Sequence, residues 1–311
     1  MKHILSFILI ISCISTSFAQ QDPTFTHYMF NKSSINPGYS GTIDAISITA
    51  INRAQWVSFK GAPTTQNVTA HMPIPNKNIG IGLSVTNEKI GPTQNFGVSG
   101  DFAYRIKVND KGDKLSLGLK ANLNYMTNYL TELYIIDKSD ASFSQDISTN
   151  AIPNFGFGAY YYTKKYFAGL SIPKLLQNSF DASSPAGNSI AILAEQRHYF
   201  LIGGTIINLT PDKVFKLKPT SFVKITSGAP IQMDISSSVI YKDKLSAGLS
   251  WRTGDALGFL VGINFTDFLQ FGYSFDFSYT NTTFKYNTGS HEIMLRYDIV
   301  KNKEKSMPKY F

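Results

Sequence analysis

The sequence predicts an all-β fold: a transmembrane outer-membrane antiparallel β-barrel of about fourteen strands, preceded by an N-terminal signal peptide. Three observations predict it. Apolar and polar residues alternate with period two through most of the chain, charged residues make up only 16% of it, and tight turns alternate with longer links. Soluble domains carry about 25% charged residues, so the composition argues against an ordinary cytosolic enzyme.

Residues 1–19 have the features of a secretory signal peptide. Lys2 precedes a short apolar run, and the small residues Ser17 and Ala19 precede the expected cleavage site. The run is too short for a membrane helix, and no later stretch has the roughly 18 to 20 apolar residues that such a helix needs. Cleavage after Ala19 would remove Cys13, the single cysteine. The residues before Cys13 also resemble a degenerate lipoprotein box, a weaker alternative.

Alternation is clearest from Lys114 to Tyr125, where odd positions are apolar and even positions are polar or Gly. This pattern fits a strand with one apolar and one polar face, and it excludes an amphipathic helix. Interior glycines such as Gly80 and Gly158 fall on the polar face, which suits the crowded inner wall of a curved barrel. Strands are expected near 44–51, 65–73, 79–88, 94–107, 113–126, 152–163, 165–172, 195–207, 215–226, 230–241, 244–252, 256–266, 269–280 and 288–300.

The lengths of the connections favour an outer-membrane barrel whose termini both face the periplasm. Tight turns are expected at 164–165, 242–243 and 267–268, between longer links at 52–64, 127–151, 173–194 and 281–287. The links 227–229 and 253–255 are shorter than this scheme expects. A secreted β-sandwich is the alternative. Its strands would turn polar side chains to water, whereas Tyr and Phe recur here on the apolar face of nearly every strand.

The prediction divides the chain into the signal peptide, a segment at 20–42, the barrel at 43–300 and a basic C-terminal tail at 301–311. The segment 20–42 does not alternate, so we expect it to lie in the periplasm or to pack in the lumen. Its adjacent apolar residues Tyr28, Met29 and Phe30 would expose much apolar area in water, which indicates that they anchor the segment.

No constellation of residues indicates catalysis, so we predict a non-enzymatic protein without cofactor or metal. His291 and Glu292 begin like a zinc-protease motif, but Leu295 stands where the second His is needed and the segment is a strand. The net charge is +8, yet no basic cluster is longer than three residues, which argues against nucleic-acid binding. Charged residues on the expected lumen face should pair with one another: Asp101, Arg105, Lys107, Lys120, Asp234, Arg252, Asp276, Arg296 and Asp298.

A series of short motifs runs in order along the chain after the signal peptide. Arg53–Pro63 reads R-A-Q-W-V-S-F-K-G-A-P. The other motifs are Gln21–Pro23, His27–Asn31, Ile35–Gly41, Lys89–Pro92, Tyr104–Ile106, Pro153–Gly156, Gly169–Leu176, His198–Phe200, Lys216–Pro219, Gly228–Pro230, Gly272–Asp276 and Gly289–Leu295. Together they resemble the PorP/SprF family of type IX secretion system membrane proteins. Gly38, where the family usually has Ala, is a departure.

The resemblance implies an outer-membrane protein of Bacteroidetes that assists the secretion or surface attachment of cargo proteins, among them gliding adhesins in some relatives. Its implied partners are other type IX secretion components, cargo with a type IX C-terminal signal and outer-membrane lipid, and no nucleic acid. A channel for small or hydrophobic molecules is the alternative, and a lipid-modifying enzyme is a third reading. A channel should leave an open lumen, whereas an accessory protein should be plugged by 21–41 or by 173–194.

The stretch Arg53–Pro63 falls in the first outward loop of the expected barrel. Aromatic anchors at Trp56 and Phe59 beside the rigid Pro63 predict a partner-binding patch, in addition to the anchors Tyr28, Met29 and Phe30. A girdle aromatic in a loop that folds inward is equally compatible with this pattern.

Overall fold

The computed structural model describes residues 23–135, 143–183, 189–279 and 287–300; the expected signal peptide and basic tail lie outside these ranges. The strands are β1 (Ile46–Ala54), β2 (Thr64–Pro73), β3 (Ile79–Ile90), β4 (Thr93–Lys107), β5 (Lys114–Asn128), β6 (Ile147–Ser148), β7 (Ile152–Tyr162), β8 (Tyr166–Ile172), β9 (Ser179–Ser183), β10 (Ser189–Ala194), β11 (His198–Thr205), β12 (Ile207–Asn208), β13 (Phe215–Thr226), β14 (Gln232–Tyr241), β15 (Leu245–Arg252), β16 (Ala256–Asn264), β17 (Leu269–Ser278) and β18 (Ser290–Ile299).

Fourteen of these strands form a closed antiparallel barrel, as the sequence predicted. Each strand pairs with its neighbour along the chain, and β1 closes the barrel by pairing with both β2 and β18. The short strands β6 and β12 extend the edges of β5 and β13, and β9 and β10 form a separate hairpin. Each of the fourteen expected segments overlaps one barrel strand.

The barrel wall is apolar outside and mostly polar inside, apart from a buried apolar patch on the lumen face at Tyr160, Phe167, Phe200, Ile202 and Phe222. In β5, Ser116 and Lys120 are buried in the lumen, whereas the alternate residues Leu117, Leu119 and Leu123 are exposed on the outer surface. Exposed apolar side chains on one face of every barrel strand match a wall that faces lipid. Period-two alternation therefore identifies the lipid-facing residues.

We call the end of the barrel with the short turns the inner end and the opposite end the outer end. The inner end carries the turns 74–78, 108–113, 163–165, 242–244 and 265–268, together with the start of β1 and the end of β18. In outer-membrane barrels the short turns and the termini face the periplasm. The outer end carries the two longest connections, 129–151 and 173–197, as well as the short links 91–92 and 253–255. Its long connections indicate that it faces the cell exterior.

Residues 23–41, which we call the plug, lie inside the barrel. They contain one helical turn, α1 (Lys32–Ile35), followed by a 3-10 turn at Pro37–Tyr39. Asn36 caps the second turn, because its side chain accepts a hydrogen bond from the N–H of Gly38. No helix in the described part of the chain is long and apolar enough to cross a membrane.

Candidate functional site: the plugged lumen

A group of charged residues holds the start of the plug in the outer half of the lumen. Glu292 Oε2 accepts a hydrogen bond from the N–H of Thr26 at 2.9 Å, and its Oε1 accepts one from the N–H of His27 at 2.8 Å. His27 Nδ1 lies 2.8 Å from the same oxygen. Arg53 bridges Glu292 at 3.2 Å and Asp276 at 2.8 Å. We call these residues and Arg252 the outer anchor.

Strand register places the wall residues of the outer anchor. Arg53 faces Glu292 across the β1–β18 pair, and Arg252 faces Asp234 across the β14–β15 pair. The Arg252 guanidinium lies 3.0 Å from Asp234 and 3.7 Å from Asp276. Buried charges are strongly destabilising unless they are paired, and each of these arginines has carboxylate partners.

Amide side chains fix the middle of the plug to the wall. Asn31 Nδ2 donates to Asn67 Oδ1 at 2.6 Å, and Thr69 Oγ1 donates to Asn31 Oδ1 at 2.7 Å. Asn36 Nδ2 donates to the carbonyl oxygens of Ala159 and Leu170 at 3.1 and 3.3 Å. A buried amide that satisfies its donors and acceptor in this way specifies one position of the plug.

Further hydrogen bonds secure the end of the plug near the inner end. Ser40 Oγ donates to Asp101 Oδ2 at 2.9 Å, and Asp101 also pairs with Lys120 at 2.8 Å. Arg105 Nη1 donates to the carbonyl oxygen of Gly41 at 2.7 Å. The expected pairing of lumen charges is confirmed for Asp101 with Lys120, for Arg252 with Asp234 and Asp276, and for Arg296 with Asp298. Lys107 differs, because it is 63% exposed beyond the lumen and pairs with Asp110.

The lumen contains three of the residues for which partner binding was expected. Tyr28 is buried, and its hydroxyl lies 3.0 Å from Thr220 Oγ1 and 3.3 Å from Ser236 Oγ. Burial, followed by the charge of Asp234, raises the pKa of this phenol, so Tyr28 stays neutral. Met29 belongs to the buried apolar cluster beside it, and Phe30 packs against that cluster.

Lys32 is a buried cation at the centre of the plug. Its ammonium lies 4.7 Å from the ring centre of Tyr39 and 4.6 Å from that of Phe167. Such cation–π contacts replace part of the lost hydration. Burial, followed by the charges of Lys218 and Arg296, lowers the pKa of Lys32 well below its ordinary value.

Glycines on the lumen face mark where the plug backbone touches the wall. A side-chain carbon at Gly80 would clash with the carbonyl oxygen of Ser40, and one at Gly118 would clash with the backbone of Pro37 and Gly38. Only glycine permits such a close approach of two backbones. The sequence indicated crowding of this wall, and the structure identifies the plug as its cause.

Trp56, Phe59 and Pro63 lie apart from the plug residues, in the outer connection between β1 and β2. The N–H of Trp56 donates to Ser290 Oγ at 3.1 Å, and the carbonyl oxygen of Pro63 accepts from the N–H of Gln55 at 2.9 Å. Trp56 is half-buried, whereas Phe59 is 46% exposed. The structure therefore divides the six expected site residues between the lumen and the outer surface.

A cavity of about 370 Å³ lies above the plug at the outer end. We call it the outer vestibule. Pro23 and Phe25 of the plug contribute to its lining, and amide side chains such as Asn67 and Asn124 line its wall. Glu195 braces its rim, because its carboxylate accepts hydrogen bonds from the side-chain amides of Asn154 at 2.8 Å and Asn178 at 2.9 Å.

The zinc-protease-like motif does not form a site. His291 lies on the lipid-facing side of β18, 2.7 Å from the Tyr273 hydroxyl, whereas Glu292 lies in the lumen. Within the described ranges, no group of three or more His, Cys, Asp or Glu side chains is arranged to hold a metal ion.

The sequence predicts Arg252 and Asp276 of the outer anchor as paired lumen charges, but not Arg53, Glu292 or His27. Arg53 belongs to the motif expected in the outward loop, and Glu292 to the zinc-protease-like motif. The available signal was the alternation of side chains along a strand. Arg53 lies an even number of residues from Ser47 and Thr49, which face the lumen, and Glu292 lies an even number of residues from Arg296. The role of His27 had no such signal, because it depends on the path of the plug.

The sequence model for the family described as type IX secretion system membrane protein PorP/SprF matches residues 17–297. The chain belongs to this family. With its barrel fold, membership identifies the chain as an outer-membrane protein with a role in type IX secretion. No curated protein matches it at a significant level.

The fold is similar to those of solved outer-membrane proteins of low sequence identity. Omp33 from Acinetobacter baumannii is 10% identical, with 83% of this chain and 99% of that chain covered and a TM-score of 0.44. A FadL homologue from Pseudomonas aeruginosa is 12% identical, with 91% and 96% covered and a TM-score of 0.47. The monoaromatic hydrocarbon channel CymD is 9% identical, with 89% and 93% covered and a TM-score of 0.46.

Proposed function

We propose that this PorP/SprF protein acts as a plugged, non-catalytic accessory of type IX secretion, and that it assists the secretion or surface attachment of cargo such as gliding adhesins. Its partners would be other type IX components and cargo that carries the C-terminal signal, with outer-membrane lipid around the wall. The observation that carries this proposal is the plug, which lies between the outer vestibule and the inner end of the lumen.

The contacts of the plug indicate that it stays in the lumen and does not move out as a gate would. Tyr28, Lys32 and Asn36 are each almost fully buried. If the plug left, Glu292 would lose the two backbone N–H groups and the imidazole that it accepts from. Buried charges that lose their partners are destabilised by several kcal/mol. A resident plug supports a role in binding proteins rather than in conducting small molecules.

The outer β1–β2 loop, residues 55–63, is the surface that we assign to partner contact. The loop is braced on both sides, because the N–H of Val57 donates to the carbonyl oxygen of Gly289 and the N–H of Gly91 donates to that of Gly61, each at 2.9 Å. Trp56 and Ser58 have positive φ angles of 48° and 77°. Such strain persists only where surrounding contacts hold it, and it often occurs at functional sites.

The rigid loop presents Phe59 at the outer surface beside Trp56 and Pro63. A fixed aromatic side chain loses little entropy on binding, which suits it as an anchor for a partner. The outer vestibule lies on the same face of the barrel and gives the partner a concave, amide-lined surface.

Complementation of a deletion strain tests this assignment. Phe59→Ser should insert normally and reduce surface display of the cargo, because it removes the exposed anchor without touching the barrel. Phe265→Ser is the matched control, since Phe265 is 61% exposed but lies at an inner turn. Equal cargo display by Phe59→Ser and the wild-type protein, at equal insertion, would remove the support for this loop.

A further inference from the structure

The inner half of the lumen is unlike the outer anchor, because two buried lysines there lack carboxylate partners. Lys218 is 4% exposed, and its ammonium lies 4.7 Å from the ring centre of Phe30. Among the residues that the structure describes, neither Lys218 nor Lys32 forms an ion pair with a carboxylate. Aromatic rings offset only part of the desolvation of a buried ammonium.

Lys218 lines a small chamber between the plug and the wall strands β13 to β17. The other residues that line it include Phe30, Lys244, Ser246, Asn264 and Gln270, and none of its lining residues is acidic. Lys244 is exposed in the turn 242–244, so the chamber lies beside the inner end of the barrel.

The nearest carboxylate along the chain is already engaged. Asp243, beside Lys244 in sequence, holds the ammonium of Lys216 at 2.7 and 2.8 Å through its two oxygens. The residues that line the chamber thus include two lysines, one asparagine, one glutamine and two serines, and none of them carries a carboxylate.

The volume of the chamber is about 30 Å³. One water molecule needs about 10 to 15 Å³ by this measure, so the chamber has room for roughly two water-sized groups. The two oxygens of a carboxylate match this size, and ammonium donors form their strongest hydrogen bonds with such an anion.

We propose that this inner chamber is a binding site for a single carboxylate group that enters from the periplasmic side. Lys218 and Lys244 donate to the carboxylate oxygens, and the amides and hydroxyls complete the shell. The carboxylate belongs either to a free small acid or to an Asp or Glu side chain of a periplasmic protein. The site does not depend on the role assigned to the outer loop.

Acetate labelled with 13C at its carboxyl carbon is the probe for the site. The full-length protein is purified in maltoside detergent and a carboxylate-free buffer, and line broadening of the acetate resonance is titrated by NMR. Lys218→Gln and Lys244→Gln should each weaken binding by about tenfold, because each removes one charge-assisted hydrogen bond. Lys165→Gln is the control, since Lys165 is an exposed lysine in the inner turn 163–165 and does not line the chamber.

A pair of short peptides distinguishes the two sources of the carboxylate. Acetyl-Ser-Glu-Ser-amide should bind and its Gln counterpart should not if a protein side chain is the ligand, whereas binding of acetate alone indicates a free small acid. Both results support a carboxylate site. The proposal is overturned if the wild-type protein does not broaden the acetate resonance. It is also overturned if Lys244→Gln, which alters an exposed residue and leaves the fold intact, binds acetate as the wild type does.

Discussion

Arg53 on the first barrel strand and Glu292 on the last face each other across the seam where the barrel closes, with Nη1 and Oε2 3.2 Å apart. The two residues are 239 positions apart in the sequence. The same carboxylate accepts the backbone N–H groups of Thr26 and His27 from the plug. One side chain therefore contributes both to the seam of the barrel and to the seating of the plug.

Glu292→Gln should lower the stability of the barrel while it preserves side-chain volume. Loss of the carboxylate removes one of the two ion-pair partners of the buried Arg53, which keeps Asp276 at 2.8 Å. The cost should therefore stay below the roughly 3 to 5 kcal/mol of breaking an isolated buried ion pair. On gels, the band of the folded, heat-modifiable form should disappear at a lower sample temperature than it does for the wild-type protein. Glu132→Gln, at an exposed position in an outer loop, should leave that temperature unchanged; equal temperatures for both variants would show that Glu292 is dispensable.

Gly118→Val should displace the plug without preventing insertion, because the added side chain would occupy the space of Pro37 and Gly38. The N-terminal segment should then become sensitive to protease in the purified protein. Gly100→Val is the matched control, since no atom lies within 4 Å of the position that its Cβ would take. A protected N-terminal segment in folded Gly118→Val would contradict the assigned contact.

Lys32→Met should change how stability depends on pH. Because the pKa of Lys32 is lowered in the folded protein, the unfolded chain binds more protons between that lowered value and the ordinary 10.5, and stability rises with pH through this window. The methionine variant keeps the apolar stem, cannot titrate, and should be more stable at neutral pH with a flatter profile.

Unfolding temperatures of the two proteins from pH 7 to pH 10 measure this effect. Lys32→Arg is the companion variant. Its guanidinium does not titrate in this range, so its unfolding temperature should not rise with pH either, although the destabilising buried charge remains. Parallel profiles for the wild-type protein and Lys32→Met would mean that Lys32 is not the source of the slope.

Local patterning was sufficient to predict the barrel. Alternation from Lys114 to Tyr125 depends only on neighbouring residues, and it identified β5 together with its lipid-facing side. The absence of alternation likewise marked residues 20–42 as separate from the wall, but it left their location open between the periplasm and the lumen.

The seam and the plug contacts could not be predicted in the same way. Pairing of Arg53 with Glu292 requires the strand count and every register between them, because each strand shift moves one side chain relative to the other. Lys107 shows that alternation does not predict the position of a side chain at the end of a strand. β4 ends at this residue, so its side chain lies outside the lumen and contacts Asp110.

Ion conductance in planar bilayers tests the plugged lumen most directly. The wild-type protein should insert and remain silent. Deletion of residues 22–34 should still insert and produce stepwise conductance, because it removes most of the helical turn and the contacts to the outer anchor. The same deletion should abolish surface display of the cargo in cells. Wild-type conductance equal to that of the deletion variant, at equal insertion, would contradict the account.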